Sequence, residues 1–337
     1  MPAAPVLEVR DLRVEYATSR GAVAAVDGVD LDVREGEFVG IVGESACGKS
    51  TLLFAIARLL SPPAAVRAGS VVFHGHDLVT MTDRQLRALR WRDYSVVMQS
   101  AMNALNPVAS IGAQLEDVLA AHTDMSDRAI TERSVEVLRL VGIDPIHLRS
   151  YPHQLSGGMR QRAMIAMALL FTPDLVIMDE PTSALDVVAQ RSLMVQIKDL
   201  QRRLGFAVVF VTHDMSLVSH FSDRLLVMYA GQVVEAGPTR TVFDTPAHPY
   251  SRGLLDAFPS IRGLRVPLTG IPGSPPDLAQ PPAGCRFHPR CPVASDDCTL
   301  VAPELYPVRD VRARCLLHAP HHPPAPEAAT RAEEVRR

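Results

Sequence analysis

The stretch from Phe38 to Thr51 restricts what this chain can fold into more than any other part of its 337 residues. Phe38-Val39-Gly40-Ile41-Val42 is a short apolar run that reads as a buried strand, and Lys49 to Leu60 reads as the helix that follows it. Between them Gly43-Glu44-Ser45-Ala46-Cys47-Gly48-Lys49-Ser50-Thr51 fits G-x-x-x-x-G-K-[ST]. Such a turn converges its backbone N–H groups on one point, at the positive end of a helix, where the oxygens of a phosphate chain are held. Lys49 adds a full positive charge, and the Ser50 hydroxyl is placed to ligate Mg²⁺. Strand, phosphate loop and helix in this order belong to an α/β fold, with helices packed on a mixed sheet.

The rest of the chain supplies the other parts of such a fold. Leu7 to Val42 alternates short β-rich runs with turns, among them Asp27-Gly28 and Glu35-Gly36, and Val71-Val72-Phe73 before His74-Gly75 reads as a further strand. From about Asp83 to Val141 the apolar residues recur at helical spacing: Leu115, Val118 and Leu119, then Ile130, Val135, Val137, Leu138 and Val141. This is the place for a helical insertion. Strand and helix alternate again with a strand over 175–178, a helix over 187–204, a strand over 207–211 and a hairpin at Tyr229-Ala230-Gly231-Gln232. Past about Thr245 prolines crowd in and four of the five cysteines appear among them. The organisation expected is a nucleotide-binding unit over 1–245 with its helical insertion at about 83–165, a small C-terminal domain over 246–318, and a disordered tail over 319–337 that lacks apolar surface to offset ordering entropy.

Two further motifs define the chemistry. Leu175-Val176-Ile177-Met178 delivers Asp179 and Glu180 to the C-terminal end of a strand, where one carboxylate suits Mg²⁺ and the other an attacking water. Leu155-Ser156-Gly157-Gly158-Met159-Arg160-Gln161-Arg162 opens a helix running to about Phe171, and its two glycines let a phosphate approach the backbone closely. Ser156 stands 107 residues after Lys49 and 23 before Asp179. That order and spacing resemble the ATP-binding cassette family, in which ATP is sandwiched between two subunits. The resemblance covers roughly residues 6 to 318. It implies an ATPase core with the helical insertion.

The resemblance also implies roles for single residues. Gly43, Ser45, Ala46, Cys47, Gly48, Lys49, Ser50 and Thr51 would hold the phosphates of one ATP, with Tyr16 stacked on its adenine. Ser50, Gln99 and Asp179 would surround Mg²⁺, and Gln99, after the short strand Val96-Val97-Met98, would also link the site to a membrane-domain contact. Glu180 and His213 would be the catalytic pair, the histidine holding the γ-phosphate against the base. Gln154, Ser156, Gly157 and Gly158 would reach the ATP of a second cassette, and Ser183-Ala184-Leu185-Asp186 would sense that partner. Cassettes usually carry glycine where this chain has Ala46; a positive φ there would cost the methyl about 1 kcal/mol.

Cys285, Cys291, Cys298 and Cys315 are spaced C-x5-C-x6-C-x16-C. Structural zinc sites favour closer pairs, iron–sulfur clusters accept looser ones, and spacing alone leaves both open. Gly284 to Pro292, His248-Pro249-Tyr250-Ser251, Leu254-Leu255, the segment from Gln232 to Pro238 and Leu105-Asn106-Pro107 are similar to the oligopeptide and dipeptide importer ATPases. That resemblance implies a 4Fe–4S cluster on the four cysteines, Zn²⁺ being the alternative. His288 is expected to pack or hydrogen-bond locally, the alternative being a zinc ligand.

Composition excludes several classes. The net charge of −3 gives no basic footprint for duplex DNA or other nucleic acid, and no apolar run approaches the roughly 18 residues that cross a bilayer. The N-terminus lacks the charged and apolar regions of a signal peptide. The expectation is a peripheral protein on the cytoplasmic face of the inner membrane, paired with a second cassette and two transmembrane permease subunits and served by an extracytoplasmic substrate-binding protein. Its function would be to energise import of oligopeptides or dipeptides. The rivals are nickel or glutathione import and, from another class, a soluble cassette ATPase.

Overall fold

The computed structural model describes residues 4–19, 21–99, 104–183, 185–257 and 270–320. The chain opens with two long antiparallel strands, β1 (Leu7–Thr18) and β2 (Gly21–Val33), and then enters β3 (Phe38–Val42), all five of whose residues are buried. The phosphate loop and the helix Lys49–Ile56 follow. This helix stops short of the expected Leu60. Arg58 takes a left-handed backbone (φ 56°), and Leu59 N–H bonds back to Phe54 O at 2.8 Å, a C-terminal turn without the usual glycine signal.

β4 (Ala64–Phe73) and the short β5 (His76–Asp77) complete an antiparallel sheet of order β2-β1-β4-β5. β6 (Tyr94–Val97), β7 (Leu175–Asp179), β8 (Ala207–Val211) and β9 (Arg224–Tyr229) join β3 in a second sheet, where β3, β6, β7, β8 and β9 run parallel. Their near-continuous apolar sequences fit strands covered on both faces. β6 is the short strand expected before Gln99, beginning two residues earlier than Val96 and ending at Val97; it belongs to the main sheet, with Tyr94 buried against Phe73. The helical lobe proper comprises Ile111–His122, Asp127–Leu140 and Gly157–Ala168, the first two capped by Ser110 and Ser126. Its core of Leu115, Leu119, Val137, Leu138 and Met164 is continuous with that of the sheet.

Elsewhere local chemistry sets the boundaries. Asp186 caps the helix Val187–Leu204, and Gly205 ends it at φ 83°. Ala230 and Gly231 turn β9 into β10 (Gln232–Pro238) with φ values of 49° and 82°, as a two-residue hairpin turn requires.

The C-terminal segment is continuous with this body. β11 (Tyr306–Val308) and β12 (Val311–Ala313) extend the second sheet beyond β10, giving the order β11-β12-β10-β9-β3-β8-β7-β6. Glu235 of β10, fully buried, accepts from the N–H groups of Ala247 (2.8 Å) and His248 (2.9 Å) and so fixes the entry to the helix Pro249–Asp256. Tyr250 of that helix packs among Tyr229 and Phe287, with ring centroids 4.6 and 5.4 Å away. The tail expected over 319–337 lies, from 321 onward, outside the described residues.

Candidate functional site

The site forms where β3 and β7 end. Gly43 and Gly48 stand at φ 153° and 104°, and a Cβ on either would collide with a carbonyl oxygen, of Met228 and Ala25 respectively. Both positions therefore demand glycine. Ala46 is left-handed at φ 62°, the strained conformation considered from the sequence, with its methyl exposed. Buried Lys49 donates from Nζ to the carbonyl oxygens of Gly43 and Glu44, both at 2.8 Å, which curls the loop about the ammonium group. Cys47 is buried beside it, its Sγ 3.8 Å from Nζ, and burial pushes that thiol up.

Strand β7 presents two carboxylates with different surroundings. Asp179 is buried, and Ser50 Oγ donates to its Oδ1 at 3.0 Å; burial pushes this carboxyl up, and the serine hydroxyl partly offsets the effect. Glu180 turns away at φ 45°, its N–H bonded to Val211 O at 2.9 Å. Gln99 Nε2 donates to its Oε2 at 2.8 Å, and His213 Nδ1 lies 3.3 Å from its Oε1. The carboxylate is thus held from both sides at the edge of a cleft of about 250 Å³ lined also by Ser183, Gln190 and Asp214. Tyr16 reaches across from β1, its Oη 3.1 Å from Thr51 Oγ1.

The structure therefore brings Tyr16, Lys49, Ser50, Thr51, Gln99, Asp179, Glu180 and His213 to the C-terminal ends of β3, β7 and β8. Gln154 and Ser156 lie on the helical lobe and bond locally: Tyr151 N–H to Gln154 Oε1 at 2.8 Å, and Met159 N–H to Ser156 Oγ at 3.3 Å. Gly157 and Gly158 open the helix behind them, and a Cβ on Gly158 would meet open space. Of the loop 183–186, Ala184 lies outside the described residues.

Cys285, Cys291, Cys298 and Cys315 line one small cavity of about 20 Å³, with Phe287 and Leu316. Among the described residues, however, no group of three or more His, Cys, Asp or Glu side chains is arranged to hold a metal ion, and all four are free thiols. The expected 4Fe–4S cluster, or Zn²⁺ in its place, thus finds no metal-binding arrangement among these residues. Burial pushes Cys291 up to about 11 and Cys315 up to about 12, and raises Cys285. His288 donates from Nδ1 to the carbonyl oxygen of Cys285 at 2.9 Å, a local contact.

Sequence reasoning missed one set of contacts. Tyr250 Oη accepts the N–H of Glu44 at 2.9 Å, and Arg290 donates to both carboxylate oxygens of Glu44, at 2.7 and 2.9 Å. The C-terminal segment thereby touches the phosphate loop. Both residues lie in C-terminal runs that the sequence singles out, but no local signal spans the 246 positions that separate Arg290 from Glu44.

Comparison with known proteins agrees with the geometry. The family model for ABC transporters matches residues 26–183, and the model for the oligopeptide/dipeptide transporter C-terminal region matches residues 234–298. The oligopeptide transport ATP-binding protein OppD of Salmonella typhimurium is 44% identical over 90% of this chain and 90% of its own length. The dipeptide transport ATP-binding protein DppD of Caldanaerobacter subterraneus is 41% identical over 89% of this chain and 92% of its own length. This chain belongs to the ABC transporter ATP-binding proteins, in their oligopeptide/dipeptide branch. A solved dimer of the cassette MJ0796 bound to ADP and Pi superposes with a TM-score of 0.62 at 29% identity, covering 69% of this chain and 99% of that one. The cassette fold and its ATPase activity follow. Among the cassette's described residues no helix is long and apolar enough to cross a membrane.

Proposed function

We propose that this cassette is the ATP-hydrolysing subunit of a membrane importer for oligopeptides or dipeptides. The observation that carries this reading is the match to the oligopeptide/dipeptide C-terminal region, joined to an ATPase site whose carboxylate Glu180 is held between Gln99 and His213.

In this reading Lys49 leaves the carbonyls of Gly43 and Glu44 to meet the β- and γ-phosphates, while the backbone from Gly43 to Gly48 encloses them. Tyr16 stacks on the adenine. The paired oxygens of Ser50 and buried Asp179, 3.0 Å apart, fit Mg²⁺ as hard donors, and Gln99 would join them; the bound ion would neutralise charge on the phosphate oxygens. Glu180 accepts the proton of the attacking water, oriented by the Gln99 amide, and His213 steadies the γ-phosphate opposite. Gln154, Ser156, Gly157 and Gly158 face outward from the helical lobe to serve the ATP of a second cassette, so hydrolysis needs a pair. Closure of that pair would drive two transmembrane permease subunits at the cytoplasmic face of the inner membrane, with an extracytoplasmic binding protein delivering the peptide. Residues 1–245 are read as the nucleotide-binding unit and 246–318 as its branch-specific lobe. There the four cysteines would hold a 4Fe–4S cluster, or Zn²⁺ in its place. Four sulfurs around one cavity supply the number of ligands that such a cluster needs.

The decisive test is reconstitution of the chain with its permease partners in lipid vesicles. ATP turnover should rise when peptide-loaded binding protein is added. Stimulation by nickel-loaded or glutathione-loaded protein, and not by peptide, would sink the peptide reading.

A further inference from the structure

Glu44 is an awkward residue for a phosphate loop, because its carboxylate repels the anion that the loop binds. The chain answers this with Arg290, whose side chain is only 5% exposed and forms a two-pronged ion pair with Glu44. Arg290 is itself fixed: Nε donates to Pro272 O at 2.8 Å, Nη1 lies 3.3 Å from Tyr229 Oη, and the guanidinium stands 5.7 Å from the centre of the Tyr229 ring. The adjacent backbone is also held. Glu44 N–H bonds to Tyr250 Oη, and Glu44 O accepts from Lys49 Nζ. Every hydrogen-bonding part of Glu44 is therefore tied, its N–H and its carboxylate by the C-terminal segment.

We propose that Arg290 is a positioning residue for ATP binding, which cancels and orients the Glu44 carboxylate so that the phosphate loop accepts the nucleotide. This rests on the reading of residues 43–51 as the phosphate site. It gives the C-terminal segment a part in nucleotide binding. Arg290 does not touch the reacting atoms and acts through Glu44.

The test uses the full-length chain and ATP with Mg²⁺ as the probe. Arg290→Met should weaken ATP binding roughly tenfold, the scale of a lost charge-assisted pair. In the assembled ATPase kcat at saturating ATP should stay within about twofold of wild type, because the loss is one of binding. Glu44→Gln added to Arg290→Met should restore affinity to within about threefold of wild type, since no uncompensated carboxylate is left. A purely structural role for Arg290 predicts no such rescue. The proposal is overturned if Arg290→Met loses under about threefold, or if the double variant binds no better than the single one. Should Arg290→Met melt early, Arg290→Lys carries the same test: it keeps the charge but not the fork, and its smaller loss must again be relieved by Glu44→Gln. Lys49→Ala separates the two readings. If Lys49→Ala still binds ATP, the phosphate-site assignment fails; if it does not bind and Arg290→Met binds normally, only the positioning role fails.

Discussion

Replacing Ala46 with glycine isolates one strained residue at the heart of the site. Ala46 sits at φ 62° with its methyl exposed, so the substitution removes no packing. The left-handed conformation costs an L-residue about 1–2 kcal/mol. Glycine relieves that strain but loses about 0.5–1 kcal/mol through the greater freedom of its unfolded chain. The net expectation is a gain of about 0.5–1 kcal/mol, which for a domain of this size raises the melting midpoint by about 2 °C. The turn is closed within the chain itself by Cys47 N–H to Glu44 O (3.4 Å) and by the lysine beneath, so the strain is borne on folding. ATP affinity should therefore stay within about twofold of wild type. Urea and thermal unfolding, with an ATP titration on the same preparations, provide the assay. A lower midpoint would show that the methyl makes a favourable contact. A tenfold tighter affinity would show that binding, not folding, carries the strain, and would refute the reasoning.

Three other outcomes are expected. Glu180→Gln keeps its place between Gln99 and His213 but cannot take a proton, so turnover should fall by about 10²-fold or more while ATP binding persists; near-normal turnover would remove Glu180 as the base. His248 is buried and neutral, pushed down from 6.5 to about 3 by burial, while its Nδ1 accepts from Tyr250 N–H. A depressed histidine stabilises the fold above its unfolded pKa, and this contribution is lost as pH falls from about 6.5 toward about 3. Unfolding free energy should thus decline with acid more steeply, by about 1.4 kcal/mol per pH unit, than in His248→Asn, which keeps the cap; equal slopes would contradict this. Glu235, raised by its own burial, is common to both proteins and drops out of the difference. Anaerobically purified protein should absorb broadly near ~400 nm if the thiols hold an iron–sulfur cluster, and Cys315→Ser should bleach it; a colourless protein with one zinc would overturn the cluster.

Much of the site was legible because it is local. The phosphate loop, the two carboxylates closing β7 and His213 closing β8 each lie where a continuous apolar strand ends, and strands β3, β7 and β8 were readable from runs of five residues. Other features left no such trace. The start of β6 at Tyr94, two residues before the apolar run, was not marked, and the turn at Arg58 uses no glycine. β11 and β12, three residues each and the first containing Pro307, carry no alternation from which a strand could be read.

The sequence by itself determined that this chain carries a phosphate-type loop between strand and helix, and which of its residues are the candidates to bind and cleave a nucleotide there. That information is carried by residue type over short spans, where backbone geometry and hydrogen-bonding capacity act directly. Only the tertiary structure decided that the C-terminal segment is stitched to the edge of the ATPase sheet, and that Tyr250 and Arg290 meet Glu44. Those contacts join residues some 206 and 246 positions apart. They form because folding buries the aromatic cluster of Tyr229, Tyr250 and Phe287 beneath the loop, and a charge brought into that apolar setting must find its partner there.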